Sequence, residues 1–346
     1  MERSRILRSC TIAEYWLNTA AGYCVWIKLR IMQPACDTIK VQMKTAGQER
    51  VSAAARVFFI IYVCEQEVIA KGMKRKKISL IALDMDGTLL MSDKSIHPDT
   101  ISDIAFAAEQ GVRMVYCSGR DIVELEPYTG DLPQIRYGIC TSGSVVYDFQ
   151  EKKNIFRLAV PQETVLEIIR LVGEKTGMIH FLGDGKSITC REQIEHMEDY
   201  RMGIYKELYR RVATAVESMQ EEALRHDSIA KVNIYFRSAE DRDMAFQKLK
   251  HLPLSFARAE ETSLEMTAPG VSKALGLEKL AEHLGIPMEE TAGIGDSDND
   301  SAVLKAAGLS VAMGNAEDKI KEMCDLLTDD NDHNGVGKAI RQIIGA

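Results

Sequence analysis

The clearest hydrophobic pattern in the 346-residue chain is a set of short apolar runs, each of strand length and each ending in polar or glycine residues. Residues 78–83 are followed by Asp84, and residues 112–117 are followed by Ser118. Continuous apolar runs of this length are typical of strands that are buried on both faces of a parallel sheet. The other runs of this kind are 137–140, 291–295 and 309–313.

Amphipathic segments alternate with these runs and predict helices. Pro98 fits the first turn of a helix that stops near Gly111, and residues 271–284 and 335–344 show helical periodicity. A strand, a helix and a second strand at this spacing form a βαβ unit, whose crossover is right-handed. The pattern therefore predicts an α/β fold with a doubly wound, Rossmann-like parallel sheet.

The pattern changes at about residue 155. Short strands at 156–160, 178–182 and 230–236 alternate with helices, which are predicted near 163–175, 206–224 and 239–250. The chain is expected to return to the parallel sheet near residues 263–267. We therefore predict a core domain of residues 73–155 and 260–346, into which an α+β module of residues 156–259 is inserted.

Residues 1–72 differ in character from the rest. They hold both tryptophans, four of the eight cysteines, and ten basic against six acidic residues, and they show no sustained periodicity except around residues 53–63. Three interpretations stay open: a translated upstream region with the natural start at Met73, a real but poorly ordered extension, or a targeting or partner-binding segment. Under each of them this segment has no catalytic role and lies outside the main fold.

Composition excludes several classes of protein. A net charge of −8 argues against a general nucleic-acid binder. The eight cysteines show no zinc-site spacing and fit reduced thiols. No apolar stretch reaches the roughly 18 residues that a membrane span needs. We therefore expect a cytoplasmic protein with neither a nucleic-acid nor a membrane partner.

Two carboxylates, Asp84 and Asp86, follow the first apolar run. Ligands bind beyond the carboxyl ends of strands in such sheets, so both carboxylates are expected at the mouth of a site. Two anions this close need a cation between them, and Mg²⁺ is the usual one. A second acidic cluster, Asp296–Asp300, also needs a cation, but it lacks the glycine and glutamate that a calcium-binding EF-hand loop requires.

The sequence Asp-Met-Asp-Gly-Thr-Leu-Leu at residues 84–90 resembles the first motif of the haloacid dehalogenase (HAD) superfamily of phosphohydrolases. Later motifs, from Ser118-Gly119 through Lys273 to the Asp296–Asp300 cluster, narrow the resemblance to the Cof-type, subfamily IIB, sugar-phosphate phosphatases. The resemblance runs from about residue 74 to the C-terminus. It implies that the inserted module is a cap that closes over the site and selects the substrate.

The resemblance implies roles for individual residues. Asp84 would be the nucleophile that forms an aspartyl-phosphate, and Asp86 the general acid and then base. Thr88 would orient neighbouring groups. Mg²⁺ would be held by Asp84, by the backbone carbonyl of Asp86 and by Asp296.

The remaining motifs would bind phosphate or support the site. Ser118 and Gly119 match the motif that contacts the transferring phosphoryl group, and Lys273 would balance its charge. Asn299 would also contribute to phosphate binding, and Asp300 would support the site from behind it.

The resemblance predicts a Mg²⁺-dependent phosphatase for small phosphomonoesters such as sugar phosphates. Two alternatives stay open: a phosphotransferase or phosphomutase that uses the same aspartyl-phosphate, and a catalytically idle sugar-phosphate-binding protein. One departure is Ser142-Gly143, where many Cof-type members carry Asn-Gly near the substrate. His180 has no partner at ligand spacing and is predicted to be a structural or surface residue. The sequence indicates neither the substrate nor the oligomeric state.

Overall fold

The computed structural model describes residues 11–18, 24–31, 39–45, 77–258 and 261–345. The chain forms two compact units, Met1–Lys74 and Arg75–Ala346, and each is considered by itself. Among the described residues no helix has both the length and the apolar composition to cross a membrane.

The first unit contains an antiparallel sheet of three strands in chain order, β1 (Thr11–Asn18), β2 (Cys24–Ile31) and β3 (Ile39–Thr45). The expectation that this segment lacks periodicity is therefore wrong for these strands. Apolar and other residues alternate from Ile27 to Ile31, a pattern typical of a strand. The periodic stretch at 53–63 and the proposed start at Met73 lie outside the described residues.

The second unit alternates strands and helices along its length. Its strands are β4 (Leu80–Leu83), β5 (Arg113–Cys117), β6 (Tyr137–Cys140), β7 (Val145–Asp148), β8 (Lys153–Arg157), β9 (Met178–Gly183), β10 (Lys186–Cys190), β11 (Ala213–Val216), β12 (Lys231–Tyr235), β13 (Ser255–Ala257), β14 (Ser263–Thr267), β15 (Thr291–Gly295), β16 (Leu309–Ala312) and β17 (Leu326–Leu327). Its α-helices are α1 (Pro98–Glu109), α2 (Ile122–Leu125), α3 (Gln162–Val172), α4 (Arg191–Glu195), α5 (Lys206–Val212), α6 (Met219–Arg225), α7 (Ala239–Leu249), α8 (Lys273–Leu284), α9 (Ser301–Ala306), α10 (Asp318–Met323) and α11 (Gly335–Ile344).

Eight strands form the core sheet in the order β17-β16-β15-β4-β5-β6-β7-β8. Pairing is parallel from β17 to β6, and only β7 and β8 run antiparallel to their neighbours. Along β4, Ile81 and Leu83 pack in the same cluster as α1 and α11, whereas Leu80 and Ala82 pack with α8. The predicted α/β fold with a doubly wound, largely parallel sheet is confirmed.

A second sheet of six strands has the order β11-β10-β9-β12-β14-β13. Helices α3, α6 and α7 pack against one of its faces, which receives Val232 and Ile234 from β12. Because side chains alternate along a strand, Lys231, Asn233 and Tyr235 lie on the opposite face. This sheet and its helices are called the cap below.

Three predicted elements are corrected by the structure. The helix predicted over 206–224 is broken into α5, β11 and α6, because residues 213–216 pair in parallel with β10. The strand predicted at 156–160 lies instead at Lys153–Arg157 and pairs with β7 in the core sheet. Ser263–Thr267, expected to begin the core, pairs with β12 in the cap. Strand pairing between distant segments decided all three, and local sequence does not encode it.

Candidate active site

The carboxyl ends of three neighbouring core strands bring the predicted site residues together. Strand β4 lies between β15 and β5 and is parallel to both. Asp84 therefore follows β4, Ser118 follows β5 and Asp296 follows β15 at the same edge of the sheet. From β4 the chain goes first to β5 on one side of that strand, and it later reaches β15 on the other side. This edge is therefore a topological switch point, where ligands bind.

Lys273 connects two of these carboxylates from the start of α8. Its Nζ atom lies 2.6 Å from Asp84 Oδ1 and 2.6 Å from Asp300 Oδ1, and it donates a longer hydrogen bond of 3.4 Å to Asn299. Ser272 caps the helix by accepting a hydrogen bond from a backbone N–H, which places Lys273 in the first turn. Burial opposes the charged form of Lys273, but Asp300 and Asp84 raise its pKa well above the usual range.

Asp300 is fully buried, and both of its carboxylate oxygens accept hydrogen bonds from other groups of the protein. Oδ1 faces Lys273, while Oδ2 accepts hydrogen bonds from the backbone N–H groups of Asp296 (3.0 Å) and Ser297 (3.2 Å). Gly295 makes this approach possible, because a Cβ atom there would lie 2.6 Å from Asp300 Cγ. Asp300 therefore orients the loop and Lys273, as its predicted supporting position implies.

The site carries more negative than positive charge. One oxygen from each of Asp84, Asp296 and Asp300 lies within 4.8 Å of the others, around the single ammonium of Lys273. Burial and the neighbouring carboxylates raise the pKa of Asp84 well above its usual range, and they raise that of Asp296 to about 6. Since Asp300 is saturated by hydrogen bonds, Asp84 and Asp296 offer the oxygens that a hard divalent cation prefers.

Asp86 lies in a different environment from Asp84. Arg120 donates to both of its oxygens, at 2.9 and 2.8 Å, and Lys94 donates to Oδ1 at 2.8 Å. Burial would raise the pKa of Asp86, but these two cations lower it to about 2. The sequence motifs did not single out Lys94.

The turn between Asp86 and Thr88 brings the two acidic loops into contact. Gly87 has a φ of +83°, and a Cβ atom at this residue would lie 2.5 Å from Asp296 Oδ2. Thr88 donates a hydrogen bond of 3.1 Å to Asp296 Oδ1, so it does orient a neighbouring group. A glycine is needed here for both the backbone conformation and the space.

Ser118 and Gly119 face the cap across a buried polar contact. The Gly119 carbonyl accepts a hydrogen bond of 3.1 Å from Lys231, whose Nζ also lies 2.7 Å from Glu265. Ser142 Oγ lies between these two cap residues, accepting from Lys231 at 3.0 Å and donating to Glu265 at 3.2 Å. Its φ is 60°, a left-handed conformation that asparagine tolerates better than serine. Ser142 therefore contacts the cap through both Lys231 and Glu265.

A cavity of about 240 Å³ lies between the core and the cap. The core residues that line it are Asp84, Asp86, Ser118, Gly119, Arg120, Glu124, Asp296, Ser297 and Asn299. The cap residues that line it are His180, Leu182, Met202, Tyr205, Leu208, Tyr209, Asn233, Tyr235 and Glu265. Half of these lining residues come from the cap, and six of those nine have polar side-chain atoms.

Sequence reasoning found the core half of the cavity and missed the cap half. His180, predicted to be a structural or surface residue, is buried and lines the cavity. A signal was available in Lys231-Val-Asn-Ile-Tyr235, whose alternation places three polar side chains on one face of a strand. Asp298, in contrast, has a side chain that is 66% exposed and pairs with Lys319 away from the other carboxylates.

Comparison with known proteins agrees with this geometry. A family model described as haloacid dehalogenase-like hydrolase matches residues 81–340. The chain is 31% identical over 265 residues to the 5-amino-6-(5-phospho-D-ribitylamino)uracil phosphatase YcsE of Bacillus subtilis, over 76% of this chain and 95% of that protein. It is 26% identical over 272 residues to the pyridoxal phosphate phosphatase YbhA of Escherichia coli, over 75% and 97% of the two chains. Among solved structures, a HAD subclass IIB sugar phosphatase superposes with a TM-score of 0.65 at 25% identity, over 77% and 99% of the two chains.

Proposed function

We propose that this chain, a phosphatase of the Cof-type branch of the haloacid dehalogenase-like hydrolases, is a Mg²⁺-dependent enzyme. It hydrolyses small phosphomonoesters through an aspartyl-phosphate on Asp84. The observation that carries the proposal is the buried Asp84 carboxylate, held by Lys273 at 2.6 Å at the floor of a cavity. The two relatives named above are phosphatases of small phosphorylated compounds, which supports the same class of substrate.

In the first step Asp84 attacks phosphorus. Because Oδ1 is engaged by Lys273, we assign the attack to Oδ2. A bond forms between this oxygen and phosphorus while the bond from phosphorus to the ester oxygen breaks, and the leaving oxygen takes a proton from Asp86. Lys273 is already in place to offset the charge of the phosphoryl oxygens, so no reorganisation is needed when that charge shifts.

In the second step Asp86 takes a proton from the water that attacks the aspartyl-phosphate. A bond forms between the water oxygen and phosphorus while the bond from phosphorus to Asp84 breaks, which releases inorganic phosphate and the free carboxylate. Its low pKa, set by Arg120 and Lys94 against the effect of burial, makes it a carboxylate before substrate binds. A bound phosphate dianion raises that pKa, since a like charge disfavours the ionised form. Asp86 is therefore suited to hold a proton while substrate is bound and to act as a base after the alcohol has left.

The donors at the site fit Mg²⁺. Carboxylate oxygens of Asp84 and Asp296 and the backbone carbonyl of Asp86 would hold it, and the raised pKa values of Asp84 and Asp296 mark the negative charge that it would neutralise. When bound, it screens the attacking carboxylate from the phosphate oxygens.

The cavity sets the size of the substrate. A cavity of about 240 Å³ between the core and the cap matches a phosphorylated sugar or a molecule of similar size. Residues of the core and of the cap on its two sides can position the ester for attack. We therefore propose small soluble phosphomonoesters as the substrates.

The test is phosphate release from a panel of sugar phosphates and p-nitrophenyl phosphate, with Mg²⁺ or with EDTA. We expect Mg²⁺-dependent turnover that falls at least about a thousandfold in Asp84→Asn, because the nucleophile is lost. Asp298→Asn is the matched control, since it makes the same change on an exposed carboxylate of the neighbouring loop. Turnover that persists in Asp84→Asn would refute the mechanism.

Two other results would point to different functions. Loss of the starting ester that requires an added alcohol acceptor, and that yields a new phosphate ester instead of inorganic phosphate, would indicate a phosphotransferase or mutase. Tight binding of a sugar phosphate without turnover would indicate an idle binding protein.

A further inference from the structure

Three polar residues lie side by side in the cap, on the face that lines the cavity. His180 of β9 is paired with Asn233 of β12, and Asn233 is paired with Glu265 of β14. All three are more than nine-tenths buried. Directly opposed residues on neighbouring strands have close Cβ atoms, so these side chains form a continuous row across the sheet.

One atom in this row has no hydrogen-bond partner among the described residues. The side-chain nitrogen of Asn233 donates to the Tyr235 hydroxyl at 3.0 Å, whereas its Oδ1 is buried and unpaired. A buried amide oxygen without a donor is unfavourable. Because Asn233 lines the cavity, a donor on a bound molecule can satisfy Oδ1 there.

A chain of hydrogen bonds between Glu124 and Asn233 determines which end of the Asn233 amide is the oxygen and which is the nitrogen. Glu124 accepts from the Asp121 backbone N–H at 2.9 Å and from Ser187 Oγ at 3.2 Å. Ser187 has only one proton, so it accepts from His180 Nε2 at 2.7 Å. Burial and the charge of Lys231 lower the pKa of His180 to about 3, so the ring is neutral and carries a single N–H, on Nε2.

The remaining contacts follow from that tautomer. His180 Nδ1 accepts from the Tyr209 hydroxyl at 2.9 Å. With its own proton used, the Tyr209 oxygen accepts from Tyr235 at 3.4 Å, and Tyr235 in turn accepts from the nitrogen of Asn233. Every donor in this chain of hydrogen bonds therefore points toward Glu124. The amide nitrogen of Asn233 is the first donor, so the amide oxygen is left as an unpaired hydrogen-bond acceptor.

From this arrangement we infer that Asn233 determines substrate specificity by accepting a hydrogen bond from a hydroxyl group on the leaving alcohol. The inference rests on the proposed phosphatase function and narrows its substrates to phosphate esters of polyhydroxylated alcohols. Arg120 is the one lysine or arginine among the described residues that line the cavity, and it is paired with Asp86. A neutral polyol thus matches the cap side of the cavity better than an anionic group does.

The test compares two esters with the same five-carbon chain, ribitol 5-phosphate and n-pentyl phosphate. The wild-type enzyme is expected to prefer ribitol 5-phosphate at least about tenfold in kcat/KM, because pentyl phosphate leaves Oδ1 unpaired. In Asn233→Leu the ratio of the two kcat/KM values is expected to fall about 10- to 100-fold, the range of one buried hydrogen bond.

Two further variants separate recognition from folding. Asn233→Ala removes the same amide without adding a bulkier apolar side chain, and its ratio is expected to fall by about as much as in Asn233→Leu. Gln193→Leu is the matched control: it also removes a buried cap amide whose oxygen has no partner, but Gln193 does not line the cavity. Its ratio is expected to equal that of the wild-type enzyme.

The outcomes distinguish this inference from the proposed function. Wild-type enzyme that hydrolyses p-nitrophenyl phosphate but shows no preference for ribitol 5-phosphate overturns the role of Asn233. A ratio that is unchanged in Asn233→Leu and in Asn233→Ala overturns it as well, and Asn233→Ala decides alone if Asn233→Leu does not fold. Wild-type enzyme that hydrolyses none of the three esters overturns the proposed function and the inference with it.

Discussion

Replacing Lys273 by methionine tests the charge arrangement on which the site depends. The Nζ atom lies 2.6 Å from an oxygen of Asp84 and 2.6 Å from an oxygen of Asp300. At an effective dielectric constant of about 20, each attraction is roughly 6 kcal/mol before the cost of removing the charges from water. Loss of the cation leaves two buried carboxylates uncompensated. The free energy of unfolding is therefore expected to fall by about 3–5 kcal/mol.

The same substitution is expected to reduce catalysis. Without Lys273 the phosphoryl oxygens lose a preorganised cation, and losses of this kind lower kcat by about 10²–10³. Urea denaturation gives the free energy of unfolding, and phosphate release from the best ester of the panel gives kcat. Both measurements use the full chain with Mg²⁺ at saturating concentration.

A control on the same helix shows whether the effect belongs to the site. Lys279→Met removes an exposed lysine of α8 that pairs with Glu282 at 2.9 Å, and it is expected to change the unfolding free energy by less than about 1 kcal/mol. Lys273→Met combined with Asp300→Asn should recover part of the stability but not the activity, because one buried anion is removed. A Lys273→Met variant with wild-type stability and more than half of the wild-type kcat would refute the reasoning.

Three further predictions follow from other contacts. Gly87→Ala is expected to lower the free energy of unfolding by about 1–2 kcal/mol, because its φ is +83°, and to lower kcat/KM at least about tenfold by displacing Asp296. Gly111→Ala is the control: its φ is +82° and no atom lies within 4 Å of the added Cβ, so it should show only the loss of stability in urea denaturation. Between pH 7 and pH 5 the wild-type protein is expected to lose about 2 kcal/mol more free energy of unfolding than His180→Gln. The reason is that the pKa of His180 is about 3 in the folded protein, whereas the unfolded chain takes up the proton near pH 6.5. Equal losses in the two proteins would contradict this. Glucose 1,6-bisphosphate is expected to have a kcat/KM at least about tenfold below that of glucose 6-phosphate, because Arg120 is paired with Asp86; equal values in a phosphate-release assay would show that the cavity accepts a second anion.

The core half of the site could be read from the sequence because each of its residues follows a local signal. Asp84, Ser118 and Asp296 each come where an apolar run ends, and parallel strands in one sheet bring such ends to one edge. Lys273 was found through the family resemblance, whose motif has a lysine here, and the structure places it in the first turn of α8 after the Ser272 N-cap. These signals lie within a few residues of the chemistry that they predict.

The pKa values of these residues could not be predicted from local sequence signals. The motif gives Asp84 and Asp86 as a similar pair, yet burial and neighbouring carboxylates raise the pKa of Asp84, whereas Arg120 and Lys94 lower that of Asp86 to about 2 against the effect of burial. The difference depends on which cation reaches which carboxylate. That is decided by side-chain positions in the folded chain.

The sequence by itself determined the fold class, the order of the motifs and the chemistry of the core loops. The tertiary structure alone decided the cap half of the cavity, where His180, Asn233 and Glu265 come from strands that lie 53 and 32 residues apart in the chain. Their meeting depends on strand register, and a shift of one residue would turn each side chain to the opposite face. Register is set by the packing of whole strands against helices, so no short motif can carry it.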